Sequence, residues 1–196
     1  MSVFKDLTGS ADVCHCIPRE KFQEDPLLSY LLPHETPYMM FKAAKETHLF
    51  TDLAYISIKG ESAVSKKRFV DRIEFFEQIV SNVCFETAGM GVTDRDVELK
   101  FEMGSVAVSI DIWKAEVEAA KKLYRALLIL SHEQAKNREL LHYATQALGR
   151  MAPVAPSVTA ESAGTANAQM AIATATAFHK HLSPHSYKHV FDTLSL

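Results

Sequence analysis

The sequence predicts an α+β protein: a meander of antiparallel strands closed by one long C-terminal helix, with a short N-terminal helix before it and a low-complexity tail behind. Three observations lead to that class. Between Tyr38 and Ile112, apolar residues alternate with a period of two in short runs bounded by Gly, Asp, Asn or Ser. After Trp113 the period becomes helical. No crossover helix separates the strands, so a parallel sheet has no connection to build it.

Taken in order, Pro18 to Pro33 (P-R-E-K-F-Q-E-D-P-L-L-S-Y-L-L-P) reads as the first helical signal. Pro18 suits a first helical position, and Asp25-Pro26 divides the segment into two short turns. Pro33 and Pro37 mark a loop. Strands follow at Tyr38 to Ala43, His48 to Phe50, Leu53 to Ile58, Arg68 to Phe76, Ile79 to Glu86, Asp96 to Met103 and Val106 to Ile112. In the strand from Asp96, Val97, Leu99 and Phe101 point inward, while Asp96 and Glu98 share the solvent face.

The helix expected from Lys114 to Leu148 would span about 50 Å at 1.5 Å per residue, with Gly149 as its C-cap. Val117, Ala120, Tyr124, Leu127 and Ser131 lie on one face, with Leu123, Ala126 and Leu130 beside it. Its middle, L-Y-R-A-L-L-I-L, is apolar almost all round, so a second face asks for a partner. From Pro153 the chain is rich in Ala, Ser, Thr and Pro and reads as a linker, with a weak helix from Asn167 to His179. The expected organisation is an N-terminal extension (1–36), a strand domain with its capping helix (37–132), a helix extension (133–150) and a linker with a His-rich tail (151–196).

Composition narrows the function classes. With 196 residues, 47% hydrophobic and 23% charged, the chain is an ordinary globular protein large enough for a real core. A formal charge of -3 argues against wholesale nucleic-acid binding. Three cysteines, an odd number, fit a reducing compartment better than a disulfide scaffold. The best apolar run is interrupted by Arg125 and falls far short of the roughly 20 residues a membrane span needs. The first ten residues carry neither an apolar signal core nor an Arg-rich transit character. A soluble, cytoplasmic protein is the expectation, with organellar import on an unusual signal still open.

Several motifs suggest chemistry and lose to plainer readings. Gly89-Met90-Gly91 precedes a strand rather than a helix N-terminus and reads as a turn, not a phosphate loop. Asp94, Asp96 and Glu98 lack the glycine and the downstream glutamate of a calcium loop. Cys14-His15-Cys16 is spaced too tightly for a zinc knuckle, and only Cys84 remains as a further thiol. His179, His181, His185 and His189 fit a docked or solvated tail better than a metal site. Trp113 reads as a packing anchor. No nucleophile motif is present, so no catalytic residue, cofactor or metal is expected.

Three separated blocks carry a resemblance. They are F-K-A-A-K-E-T-H-L-F-T-D-L-A-Y-I-S-I-K-G from Phe41, K-K-R-F-V-D-R-I from Lys66, and F-E-T-A-G with D-R-D-V-E-L-K between Phe85 and Lys100. Together they resemble the bacterial pleckstrin-homology-like domain family over about half the chain, roughly Thr36 to His132. Asp52 stands where that family usually has Asn, the helix is longer, and the tail is added. The resemblance implies a strand barrel capped by a helix, no known catalysis, and a tendency towards ring-like homo-oligomers.

The function expected is a non-catalytic assembly module, self-associating or accessory to a larger complex. Leu123, Leu127 and Leu130 on the helix, with Phe178, Tyr187, Val190 and Phe191 in the tail, are the expected partner contacts. The alternative is a module for anionic lipid or phosphoinositide, using Lys42, Lys45, Lys66, Lys67 and Arg68 as converging cations. Charge reversal at Lys66, Lys67 and Arg68 should then abolish liposome binding.

Overall fold

The computed structural model describes residues 13–60, 67–87, 96–151 and 169–195, except 171, 179 and 181. Two compact units emerge: one takes the described residues up to Ser131 together with those from Ser186, the other residues 132–185.

The first unit is a two-sheet strand barrel. Strands β1 (His15–Cys16), β2 (Pro37–Lys42), β3 (Glu46–Thr51), β4 (Ala54–Gly60) and β5 (Arg68–Glu74) form an antiparallel five-stranded sheet in chain order. Strands β6 (Val80–Glu86), β7 (Asp96–Met103) and β8 (Val106–Trp113) form the second sheet. Cys14 joins the two at one corner: its N–H donates to the Asp111 carbonyl at 2.7 Å, and its carbonyl accepts from Trp113 N–H at 3.0 Å. β1 has only two residues, too few to leave a period in the sequence.

The alternation in β7 appears as expected, with Val97, Leu99, Phe101 and Met103 all buried and the residues between them half-buried. Gly104, at φ +60, makes the turn into β8 in a backbone region that favours glycine. In β2 and β4, by contrast, both faces are buried. Phe41, Phe50 and Tyr55 point into the barrel, whereas Met40, Leu49, Ile56 and Ile58 form a second small core. Phe22, Ile17, Leu27 and Leu28 cover that outer layer from the N-terminal segment. The segment is two 3-10 helices, Arg19–Glu24 and Pro26–Tyr30; Asp25 caps the second by accepting from Leu27 N–H at 3.0 Å. Pro18 sits at the cap of the first rather than inside it.

Helix α1 runs Val117–Met151, through Gly149, instead of stopping there. A glycine weakens a helix interior by about 1 kcal/mol without breaking it. Leu123, Leu127 and Leu130, expected at a partner surface, are 0% exposed and lie in the barrel's own core. At roughly 100° per residue, Ala120, Leu123, Ala126, Leu127 and Leu130 fall within about 120° of arc, so the two rows merge into one stripe that the barrel covers.

The C-terminal residues depart furthest from expectation. Tyr187, Val190, Phe191 and Leu194 belong to the barrel core, with Tyr187, Val190 and Phe191 no more than 3% exposed. Helix α2 (Lys188–Phe191) and the 3-10 turn Asp192–Ser195 stack Phe191 on Phe75 at 5.3 Å and set it 5.7 Å from Tyr38. These tail anchors therefore bind their own domain. Docking within one chain avoids the association entropy that an external partner would lose.

In the second unit, residues 172–178 are helical, and Leu140, Tyr143, Met170, Ile172 and Phe178 are exposed. Of the expected partner contacts, Phe178 alone stands in solvent, at 36%.

Candidate functional site in the barrel interior

Most barrel-facing positions carry apolar side chains, but one row does not. β3 places Glu46 and His48 on the same face, two residues apart, beside Phe50. The registers His48↔Ser57 and Ser57↔Asp71 continue a polar row across β4 and β5. A cavity of about 370 Å³ opens over this row; His48, Tyr55 and Ser57 form its buried floor, and Lys59, Asp71 and Ser109 are among its other walls.

His48 is 2% exposed. Its Nδ1 stands 2.7 Å from the Tyr55 hydroxyl. Its Nε2 makes no hydrogen bond and lies 3.5 Å from Glu46 Oε1. Burial, and after it the Glu46 carboxylate, hold the Tyr55 phenol well above its ordinary pKa. The corner residue Cys14, also fully buried, completes a group: one ligand atom from each of Cys14, Glu46 and His48 lies within 4.8 Å of the others. The Cys14 thiol is pushed up to about 12, first by burial and then by the Glu46, Asp111 and Glu116 carboxylates. Cys16 rises to about 11, from burial and Glu116. Chemically, this interior offers a thiol, an imidazole and a carboxylate in a common negative field.

The sequence pointed to Cys14 and Cys16 but gave them no third ligand. It missed Glu46, His48 and Tyr55, because a two-residue bridge at β1 brings position 14 to β3 and no spacing rule reports that. The one available signal was an acid and a histidine alternating within a strand that otherwise reads as core.

The cations proposed for lipid are placed differently from one another. The Lys45 carbonyl accepts from Gly60 N–H at 2.7 Å, and Gly60 pairs with Arg68, so the β2–β3 turn and the start of β5 share one end of the sheet. Lys42 is committed to Asp25 at 2.6 Å. Lys67 lies 4.8 Å over the Phe69 ring, and Arg68 Nη1 donates to the Lys67 carbonyl at 3.1 Å. Lys66 lies outside the described residues, as do the Gly89-Met90-Gly91 turn and the side chains of His179 and His181. Asp96 and Glu98 sit on β7, where Lys100 pairs with Glu98 at 2.7 Å and the Ser109 hydroxyl also donates to it.

A pinning contact lies on the outer side of β5. Arg72 Nη1 donates to both Glu35 oxygens at 3.0 and 2.9 Å, and Arg72 Nε donates to Glu74 at 2.6 Å. The Glu35 side chain is 0% exposed and also accepts from Leu32 N–H, so the pair ties the N-terminal segment to the sheet.

No helix among the described residues is long and apolar enough to cross a membrane. Comparison with known proteins agrees with the strand order and the capping helix. The chain is 33% identical over 147 residues to the uncharacterized protein YvbH of Bacillus subtilis (strain 168), covering 74% of this chain and 71% of that one. A crystal structure of a PH domain containing bacterial protein from Exiguobacterium sibiricum 255-15 superposes with a TM-score of 0.85 at 25% identity, covering 93% of this chain and 99% of that one. The model of the bacterial PH domain matches residues 8–131. With two sheets joined at Cys14 and one helix buried along a single stripe, the chain belongs to the bacterial PH domain family.

Proposed function

We propose that this protein works as an assembly module, and that its domain associates with a second copy of the chain through the outer edge of β5. The observation that carries this is the state of that edge. β5 pairs with β4 and with no other described strand, and its residues from Arg68 to Asp71 are exposed. Phe69 is 48% exposed and Val70 36%. A seven-residue strand without a bulge, carrying exposed apolar side chains, is the kind of edge that recruits another strand. The other sheet's edge, β6, is interrupted by a register shift between Ser81 and Cys84, with Asn82 at φ 51, which blunts it.

A second copy suits this edge because β5 carries Arg68 at one end and, at the other, Glu74, which already pairs with Arg72 at 2.6 Å and would gain a second cation. Antiparallel pairing centred on Asp71 sets each Arg68 against the other copy's Glu74 and each Phe69 against Ile73. The same register brings the two Asp71 side chains face to face. Light scattering on the full chain tests the reading: a mass of two or more chains is expected at micromolar concentration. Phe69→Lys/Val70→Lys should return it to a monomer, and Asp71→Asn should tighten the association. A wild-type monomer throughout, or an oligomer indifferent to the edge lysines, overturns it.

A further inference from the structure

We propose that the interior of this domain holds one divalent transition-metal ion of the zinc class, bound by Cys14 Sγ, the Glu46 carboxylate and His48 Nε2. The site is independent of the β5 edge.

Geometry makes the case first. The three donor atoms lie within 4.8 Å of one another, and two of the residues, Cys14 and His48, are fully or almost fully buried. A tetrahedral shell with Zn–S near 2.3 Å and Zn–N near 2.0 Å sets ligand atoms about 3.3–3.8 Å apart, a contraction within reach of side-chain rotation. Cys14 is held by two backbone hydrogen bonds at the barrel corner, while Glu46 and His48 come from one face of β3. The register His15↔Lys42 carries Cys14 towards Ala43, whose N–H donates to the Glu46 carbonyl at 2.8 Å.

The second argument is His48 itself. A buried imidazole nitrogen without a hydrogen bond costs free energy unless something takes it up. With Nδ1 directed at the Tyr55 hydroxyl at 2.7 Å, the tautomer protonated at Nδ1 presents the Nε2 lone pair to the cluster. This is the arrangement by which an outer partner orients a metal-binding histidine.

Donor chemistry selects the ion. Thiolate, imidazole and a single carboxylate suit zinc or cobalt(II), whereas calcium and magnesium ask for oxygen shells. On binding, the thiol gives up its proton to solvent and its sulfur lone pair to the metal. Three protein ligands leave one coordination position for water or a small anion.

The test uses the full chain, assayed for zinc by mass spectrometry as purified and dialysed, then stripped with chelator and titrated with cobalt(II). One equivalent should bind with a near-ultraviolet thiolate-to-cobalt band. Cys14→Ser should abolish that band, whereas Cys16→Ser and Cys84→Ser keep it. Tyr55→Phe should weaken binding by about 10-fold or more. Glu46→Gln, nearly isosteric at a half-buried position, should lower affinity while retaining the band, and it serves if Cys14→Ser does not fold. Folded wild-type protein without a thiolate band, a histidine-only cobalt spectrum, a band that survives Cys14→Ser, or unchanged affinity in Glu46→Gln overturns the proposal.

Discussion

Ser186 donates its hydroxyl to Asp52 Oδ2 at 2.7 Å across 134 residues of chain. The other Asp52 oxygen accepts from Thr36 N–H at 2.7 Å, and the Asp52 carbonyl accepts from Tyr187 N–H at 2.8 Å. One buried residue at the β3–β4 turn thus ties the start of β2 to the C-terminal segment. Asp52→Ala leaves Thr36 N–H and Ser186 without their acceptor and should cost about 1–3 kcal/mol. Asp52→Asn keeps one acceptor oxygen for Thr36 and should cost less. Phe191→Ala, at 0% exposure against Phe75 and Tyr38, should cost about 3–5 kcal/mol. Urea denaturation of the three variants checks this ranking. A Phe191→Ala protein as stable as wild type would mean that the tail does not belong to the fold.

The Glu35–Arg72 pair should behave as a buried lock. Arg72→Ala leaves the fully covered Glu35 carboxylate without its bidentate partner, and a loss of about 3 kcal/mol is expected, reduced somewhat because Arg72 is 21% exposed. Removing both, in Glu35→Ala/Arg72→Ala, should cost less than the sum of the single changes. A double-mutant cycle measures that coupling, and additive losses would show that the two side chains do not sense each other.

Acid should loosen the tail through Asp192. Its carboxylate accepts from the Tyr38 hydroxyl at 2.6 Å and pairs with Lys188 at 2.7 Å. Lys188 first, and then Tyr38, hold its pKa below the ordinary 3.8. A carboxyl group with a depressed folded pKa contributes stability that is present above the unfolded value and is lost as pH falls through the folded one. The melting-temperature advantage of wild type over Asp192→Asn should therefore be full at neutral pH and shrink below about pH 4. An advantage independent of pH would remove Asp192 ionisation as its cause.

Much of the barrel was legible in single residues. The alternation of Val97, Leu99 and Phe101 reports a strand with one buried face because side chains on a strand project with a period of two. The switch of period after Trp113 marks the start of the helical segment for the same local reason. β2 and β4 were harder, since strands buried on both faces lose their alternation, and the 3-10 segments that cover Met40 and Ile56 lie far away in sequence. The reading of Leu123, Leu127 and Leu130 as a second face failed because periodicity gives the width of an apolar stripe but not what covers it.

By itself, then, the sequence determined the strand-then-helix order, the family blocks from Phe41 to Lys100, and which residues are apolar enough to be buried. Tertiary structure alone decided which groups meet. It brought Cys14 to Glu46 and His48 through a corner two residues long, folded Tyr187 and Phe191 back into the barrel instead of onto a partner, and left β5 paired on one side only among the described strands. The physical reason is that backbone periodicity is a local property, whereas burial, pairing and ligand geometry depend on contacts between distant segments, and those exist only once the chain has closed on itself.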